Sequence, residues 1–197
     1  ALAAAEKIGD ERHKAEALNG VAKALAQAGD REGAQETAEK IKYEWLKAKA
    51  LSEVARALAQ VGDLDGAQAA VEKIWDKGLK TEALSDVARA LAQAGDLDGA
   101  QAVAEKIWDK GLKAEALSGV AEALAQTGDR EGALAVARRA LLAAEEIEDE
   151  RNKADALSGV AAALVQAGDW GGALAAVEKI GDERKKADEL SGLAAAL

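Results

Sequence analysis

Cysteine, methionine, phenylalanine and proline are all missing from this chain, and histidine and tyrosine occur once each. Without cysteine there is no disulfide framework and no thiolate to act as nucleophile or metal ligand. The single histidine, His13, makes no zinc site without carboxylates or a second chain, and no nucleophile context surrounds it. We read it as an exposed, inert side chain. No Gly-Lys-Ser/Thr phosphate loop occurs. No apolar run reaches membrane-spanning length, and the start does not read as a signal peptide. The absence of proline removes the strongest helix breaker. Basic residues are also short: 26 Lys and Arg against 36 Asp and Glu give a formal charge of −10. That balance opposes nucleic acid, which needs a basic face, and an anionic membrane surface. These absences predict a non-enzymatic protein with no cofactor and no metal. The lack of cysteine makes the cytoplasm the default location.

What is present is alanine-rich and periodic. Alanine is the best helix former, so the chain reads as all-α. Gly-Asp recurs at Gly29-Asp30, Gly62-Asp63, Gly95-Asp96, Gly128-Asp129 and Gly168-Asp169, in steps of 33, 33, 33 and 40 residues. A fixed period of this size marks a stacked helical array. Before each Gly-Asp lies a first helix, A, with an apolar face at i, i+3, i+4 and i+7. It reads Leu18-Val21-Ala22-Leu25, Leu51-Val54-Ala55-Leu58, Leu84-Val87-Ala88-Leu91, Leu117-Val120-Ala121-Leu124 and Leu157-Val160-Ala161-Leu164. After it lies a second helix, B, with stripes such as Ala34-Ala38-Ile41, Ala67-Val71-Ile74 and Ala173-Val177-Ile180. Glycine suits the left-handed end of helix A, and aspartate suits the free amides opening helix B. Glycines early in helix B (Gly33, Gly66, Gly99, Gly132, Gly172) are expected to permit close helix approach.

The spacing predicts one array: a half unit over 1–10, repeats at 11–43, 44–76, 77–109, 110–149 and 150–182, and a half unit over 183–197. The result is an α-solenoid of stacked helix-turn-helix hairpins, five of them complete. The fourth repeat carries seven extra residues, predicting a helix B from about 130 to 147 that protrudes at one edge. Residues 61–93 and 94–126 agree at 27 of 33 positions, as recent duplication or deliberate design would produce. Leu190, Leu193 and Leu197 end the chain without a polar cap, which suggests either a segment of a longer array or end-to-end contact with another copy.

The run Ala-Glu-Ala-Leu-(x2)-Val-Ala-(x2)-Leu-(x3)-Gly-Asp-(x3)-Ala, seen from Ala114 to Ala133, resembles the tetratricopeptide repeat family. The chain departs from that pattern in three ways. Leucine stands for the bulky aromatics of helix A, the proline after helix B is missing, and most units are one residue short. The resemblance implies a right-handed superhelix whose concave wall is built from A helices, and a protein or peptide ligand lying along it. It places the groove at Asn19, Ser52, Ser85 and Ser118, then at Lys23, Arg56, Arg89 and Glu122, then at Gln27, Gln60, Gln93 and Gln126. The row Lys23-Arg56-Arg89 reads in two ways. It is either a basic stripe for an acidic peptide or a set of solvated charges paired with Glu16, Glu53, Asp86 or Glu82. Trp75, Trp108 and Trp170 are expected to pack in the core or at seams between units, with Trp45 and Tyr43 in a divergent link; a ligand-stacking role for the tryptophans is the alternative reading. The competing function is a structural or self-assembling array, designed or natural, with no ligand of its own.

Overall fold

A computed structural model describes residues 1–196. Leu197, named above as an uncapped terminal leucine, lies outside them. Twelve helices and no strand occur among the described residues. In chain order they are α1 Leu2–Ala5, α2 Glu11–Gln27, α3 Arg31–Glu39, α4 Glu44–Gln60, α5 Leu64–Glu72 and α6 Lys77–Ala94. Then follow α7 Leu97–Ala104, α8 Lys110–Thr127, α9 Arg130–Glu145, α10 Glu150–Gln166, α11 Trp170–Glu178 and α12 Glu183–Ala196. The chain forms two compact units, Ala1–Asp96 and Leu97–Leu197. The division falls at the third Gly-Asp.

Each Gly-Asp junction ends one helix and starts the next within two residues. Gly29, Gly62, Gly95, Gly128 and Gly168 all have φ between 80° and 89°, a region that glycine enters without steric cost. At the first junction the Gly29 amide donates to Ala26 O at 3.0 Å and the Asp30 amide to Leu25 O at 2.9 Å. This paired pattern closes the last turn of helix A. The Asp30 carboxylate then accepts from the Gly33 amide at 2.9 Å and caps α3. Asp63, Asp129 and Asp169 repeat this contact with Gly66, Gly132 and Gly172.

The early glycines of helix B therefore have a different role from the one expected. A Cβ on Gly33, Gly66, Gly132 or Gly172 would collide with the capping aspartate of its own helix. Glycine there admits the cap rather than a neighbouring helix.

In the first unit, α2 packs on α3, α4 on α5, and the A helices α2, α4 and α6 lie side by side. Leu18, Leu51, Leu58, Leu91, Ile41 and Ile74 are fully buried. Each contributes roughly 1.5–3 kcal/mol. Ala22, Ala55, Ala88 and Ala34 are also shut off from solvent, so the small members of the stripe let backbones approach. The second unit repeats the plan, with α8 on α9, α10 on α11, and α8 beside α10. Leu117, Leu157, Ile107 and Ile180 fill its core. Successive B helices are tied by ion pairs on their outer side: Glu6–Lys40 at 2.6 Å and Glu39–Lys73 at 2.5 Å in the first unit, Glu105–Arg139 and Glu145–Lys179 in the second.

The long helix B is present as α9, but its added turns do not stand free. Ala140, Ala143, Ala144 and Ile147 are buried, while Leu142 and Glu146 are exposed. Lys110 reaches Glu146, and the Lys153 ammonium donates to Glu145 O at 3.1 Å. Seven residues are close to two turns, so the apolar stripe continues in phase and stays covered.

Candidate functional site

Helix A places its residues at i and i+4 on one face. In the first unit that face carries Asn19, Lys23 and Gln27 on α2, Ser52, Arg56 and Gln60 on α4, and Ser85, Arg89 and Gln93 on α6. The three glutamines are exposed, as is Arg89. Lys23 and Arg56 are half-buried. Ser85 is buried and its Oγ has no partner among the described residues, and the same holds for the Oδ1 of Asn19.

The cationic row divides between the two readings. Lys23 pairs with Glu53 on the next A helix at 3.8 Å, and Arg89 pairs with Asp86 on its own helix at 3.5 Å. Arg56 makes no ion pair or hydrogen bond among the described residues.

Arg56 lines an open cleft of about 380 Å³ between α4 and α6. From α4 come Trp45, Ala48, Lys49, Ser52, Glu53 and Arg56, and from α6 come Leu79, Glu82 and Asp86. The end nearer the helix starts is apolar, built from Trp45, Ala48 and Leu79. The other end is polar. Of the charged groups, Glu53 and Asp86 are already paired, whereas Lys49, Arg56 and Glu82 have no partner among the described residues. Sequence reasoning had singled out Ser52 and Arg56 as groove positions and Glu82 as an ion-pair candidate, but had not placed Lys49, Leu79 and Glu82 in one cleft. These three become neighbours only when two A helices lie side by side.

The second unit presents a different surface. On α8, Ser118 is buried and its Oγ has no partner among the described residues. Glu122 occupies the position that is basic in α2, α4 and α6. Burial raises its carboxyl above the ordinary carboxylate range. The exposed Gln126 donates to Gln166 Oε1 of α10 at 3.5 Å.

The aromatic residues correct an expectation. Trp75 and Trp108 do not seal seams; they are 68% and 61% exposed. Each follows a buried isoleucine (Ile74, Ile107) in a short link between helices. Trp45 is 59% exposed and Tyr43 is also exposed, while Trp170 at the start of α11 is half-buried. Tyr43 stands at the N-cap of α4 and makes no side-chain cap bond. The other A helices start on aspartate: Asp10, Asp76, Asp109, Asp149 and Asp182 each accept an amide of the following turn. His13 is exposed, with Nδ1 3.0 Å from Asp10. Among the described residues, no three His, Asp or Glu side chains converge in a way that holds a metal, and no helix is long and apolar enough to cross a membrane.

Residues 49–73, 82–106 and 114–139 match the family model described as tetratricopeptide repeat. No curated protein matches the sequence. Among solved structures, Ton1535 from Thermococcus onnurineus NA1 is 20% identical, with a TM-score of 0.44. The match covers 90% of this chain and 57% of that one, so the chain spans a little over half the length of Ton1535. A Podosopora anserina putative kinesin light chain with nearly identical TPR-like repeats is 14% identical, with a TM-score of 0.42. That match covers 94% of this chain and 98% of the other.

Proposed function

Since the chain is a tetratricopeptide-like helical repeat protein, we propose that it is a non-enzymatic interaction scaffold that binds a peptide or protein segment along its A-helix face. Repeats of this kind generally mediate contacts between proteins. The observation that carries the reading is the α4–α6 cleft, open to solvent, apolar at one end, with an unpaired guanidinium at the other. The B-helix side differs: ion pairs run along it from one repeat to the next. Such exposed pairs are individually weak. The lack of cysteine suits a cytoplasmic setting.

The experiment is site-specific photo-cross-linking. A benzophenone side chain is placed at Ser52 or Gln60 on the A face, and at Glu36 or Ala69 on the exposed side of helix B. Adducts to a protein segment are expected at the A-face sites and not at the B-face sites. Equal labelling at both, or labelling at the B face alone, overturns the reading.

A further inference from the structure

Resting on that reading, we infer that the α4–α6 cleft selects a short extended segment carrying a large apolar side chain for Trp45 and, about five residues away, a carboxylate for Arg56. Three observations carry this. The first is a pair of departures from the repeat at one place. Where the other A helices have a capping aspartate, α4 has Tyr43, and two residues later Trp45 stands mostly in water. A lost cap costs about 1 kcal/mol, and an exposed indole gains none of the burial that large rings supply. Folding of the unit requires neither, since the neighbouring helices have the cap and lack the ring.

The second observation is charge. Glu53 and Asp86 are neutralised by Lys23 and Arg89, which leaves two cations, Lys49 and Arg56, and one anion, Glu82, to meet a ligand. The unpaired groups of the cleft thus carry a net positive charge inside a chain of formal charge −10. Charges beyond about 8–10 Å are screened at ordinary ionic strength, so the nearby unpaired groups dominate.

The third is length. Trp45 and Arg56 lie on one helix face about 16 Å apart at 1.5 Å per residue. An extended chain covers that span in about five residues at 3.3 Å each. Ser52, between the two anchors, offers a hydroxyl to the segment's backbone.

The test is selection of a phage-displayed random decapeptide library on the full chain, followed by binding of the enriched peptides to Trp45→Ala, Trp45→Phe, Arg56→Gln and Arg56→Lys. Enrichment of Asp or Glu about five residues from Leu, Phe or Trp is expected. Affinity should be at least tenfold weaker for Trp45→Ala and Arg56→Gln and substantially restored in the Phe and Lys variants. Basic or neutral consensus peptides that still cross-link to position 52 overturn this inference and leave the A-face reading standing. Peptides that ignore both anchors and cross-link to the B face overturn both. A library with no enrichment overturns the inference as well.

Discussion

At the position where α2, α4 and α6 carry Lys23, Arg56 and Arg89, α8 carries Glu122 and α10 carries Ala162. Around that position the two units are built alike. Both bury leucine and isoleucine at matching sites, both turn on a left-handed glycine, and both cap helix B with aspartate. The contrast separates two kinds of constraint. Stripe and junction residues are fixed because burial and capping leave few alternatives, whereas the outer turn of helix A is free to vary. Recognition is accordingly expected where the units differ, and stability where they agree.

Core substitutions test the shared part and have the largest effects. Leu58→Ala in the first unit and Leu117→Ala in the second each remove a buried leucine. Both should lose about 2–5 kcal/mol in urea denaturation. A loss below 1 kcal/mol in either would show that the two cores are not equivalent.

The junctions come next. Asp129 caps α9 alone, whereas Asp63 caps α5 and also accepts from Arg31, at 2.9 Å from Nε and 2.6 Å from Nη2. That pair also raises the Arg31 pKa, chiefly through the hydrogen bond. Asp129→Ala should cost about 1 kcal/mol, and Asp63→Ala more than that, because it removes a cap and a charge-assisted pair together. Equal losses would mean that the partly exposed Arg31 pair adds nothing.

Tyr43→Asp tests the departure in α4. It restores the cap of the other A helices and should stabilise the protein by about 1 kcal/mol. It leaves Trp45 and Arg56 in place, so peptide affinity should change little. A destabilised variant would show that Tyr43 contributes packing that its exposure does not suggest.

The smallest effect concerns Glu122. Burial raises its folded-state carboxyl pKa, so the folded chain holds that proton more tightly than the unfolded chain. Its contribution therefore becomes unfavourable as pH rises from the ordinary carboxylate value through the raised one. Glu122→Gln should gain on the order of 0.5 kcal/mol at pH 7. The gain should vanish below the ordinary carboxylate range. A difference that persists in acid would assign it to packing instead.

Much of this was legible in residue order. Leu117-Val120-Ala121-Leu124 predicts a helix face, Gly128 its end and Asp129 the next start. The long helix B was likewise visible in the extra residues after Arg139. The exposed tryptophans were not legible. An indole beside isoleucine reads as core, and only the path of the link between helices turns Ile74 inward and Trp75 out. Tyr43 left a signal that was missed: it breaks a column of aspartates at the start of helix A.

The sequence alone determined the helices, their junctions and the repeat, because capping, left-handed glycine and 3.6-residue periodicity act within a few neighbouring residues. Only the tertiary structure decided which polar positions sink between helices, as Ser85 and Ser118 do, and which cation stays unpaired, as Arg56 does. Those outcomes depend on lateral distances between side chains about thirty residues apart, and a repeat period does not specify such distances.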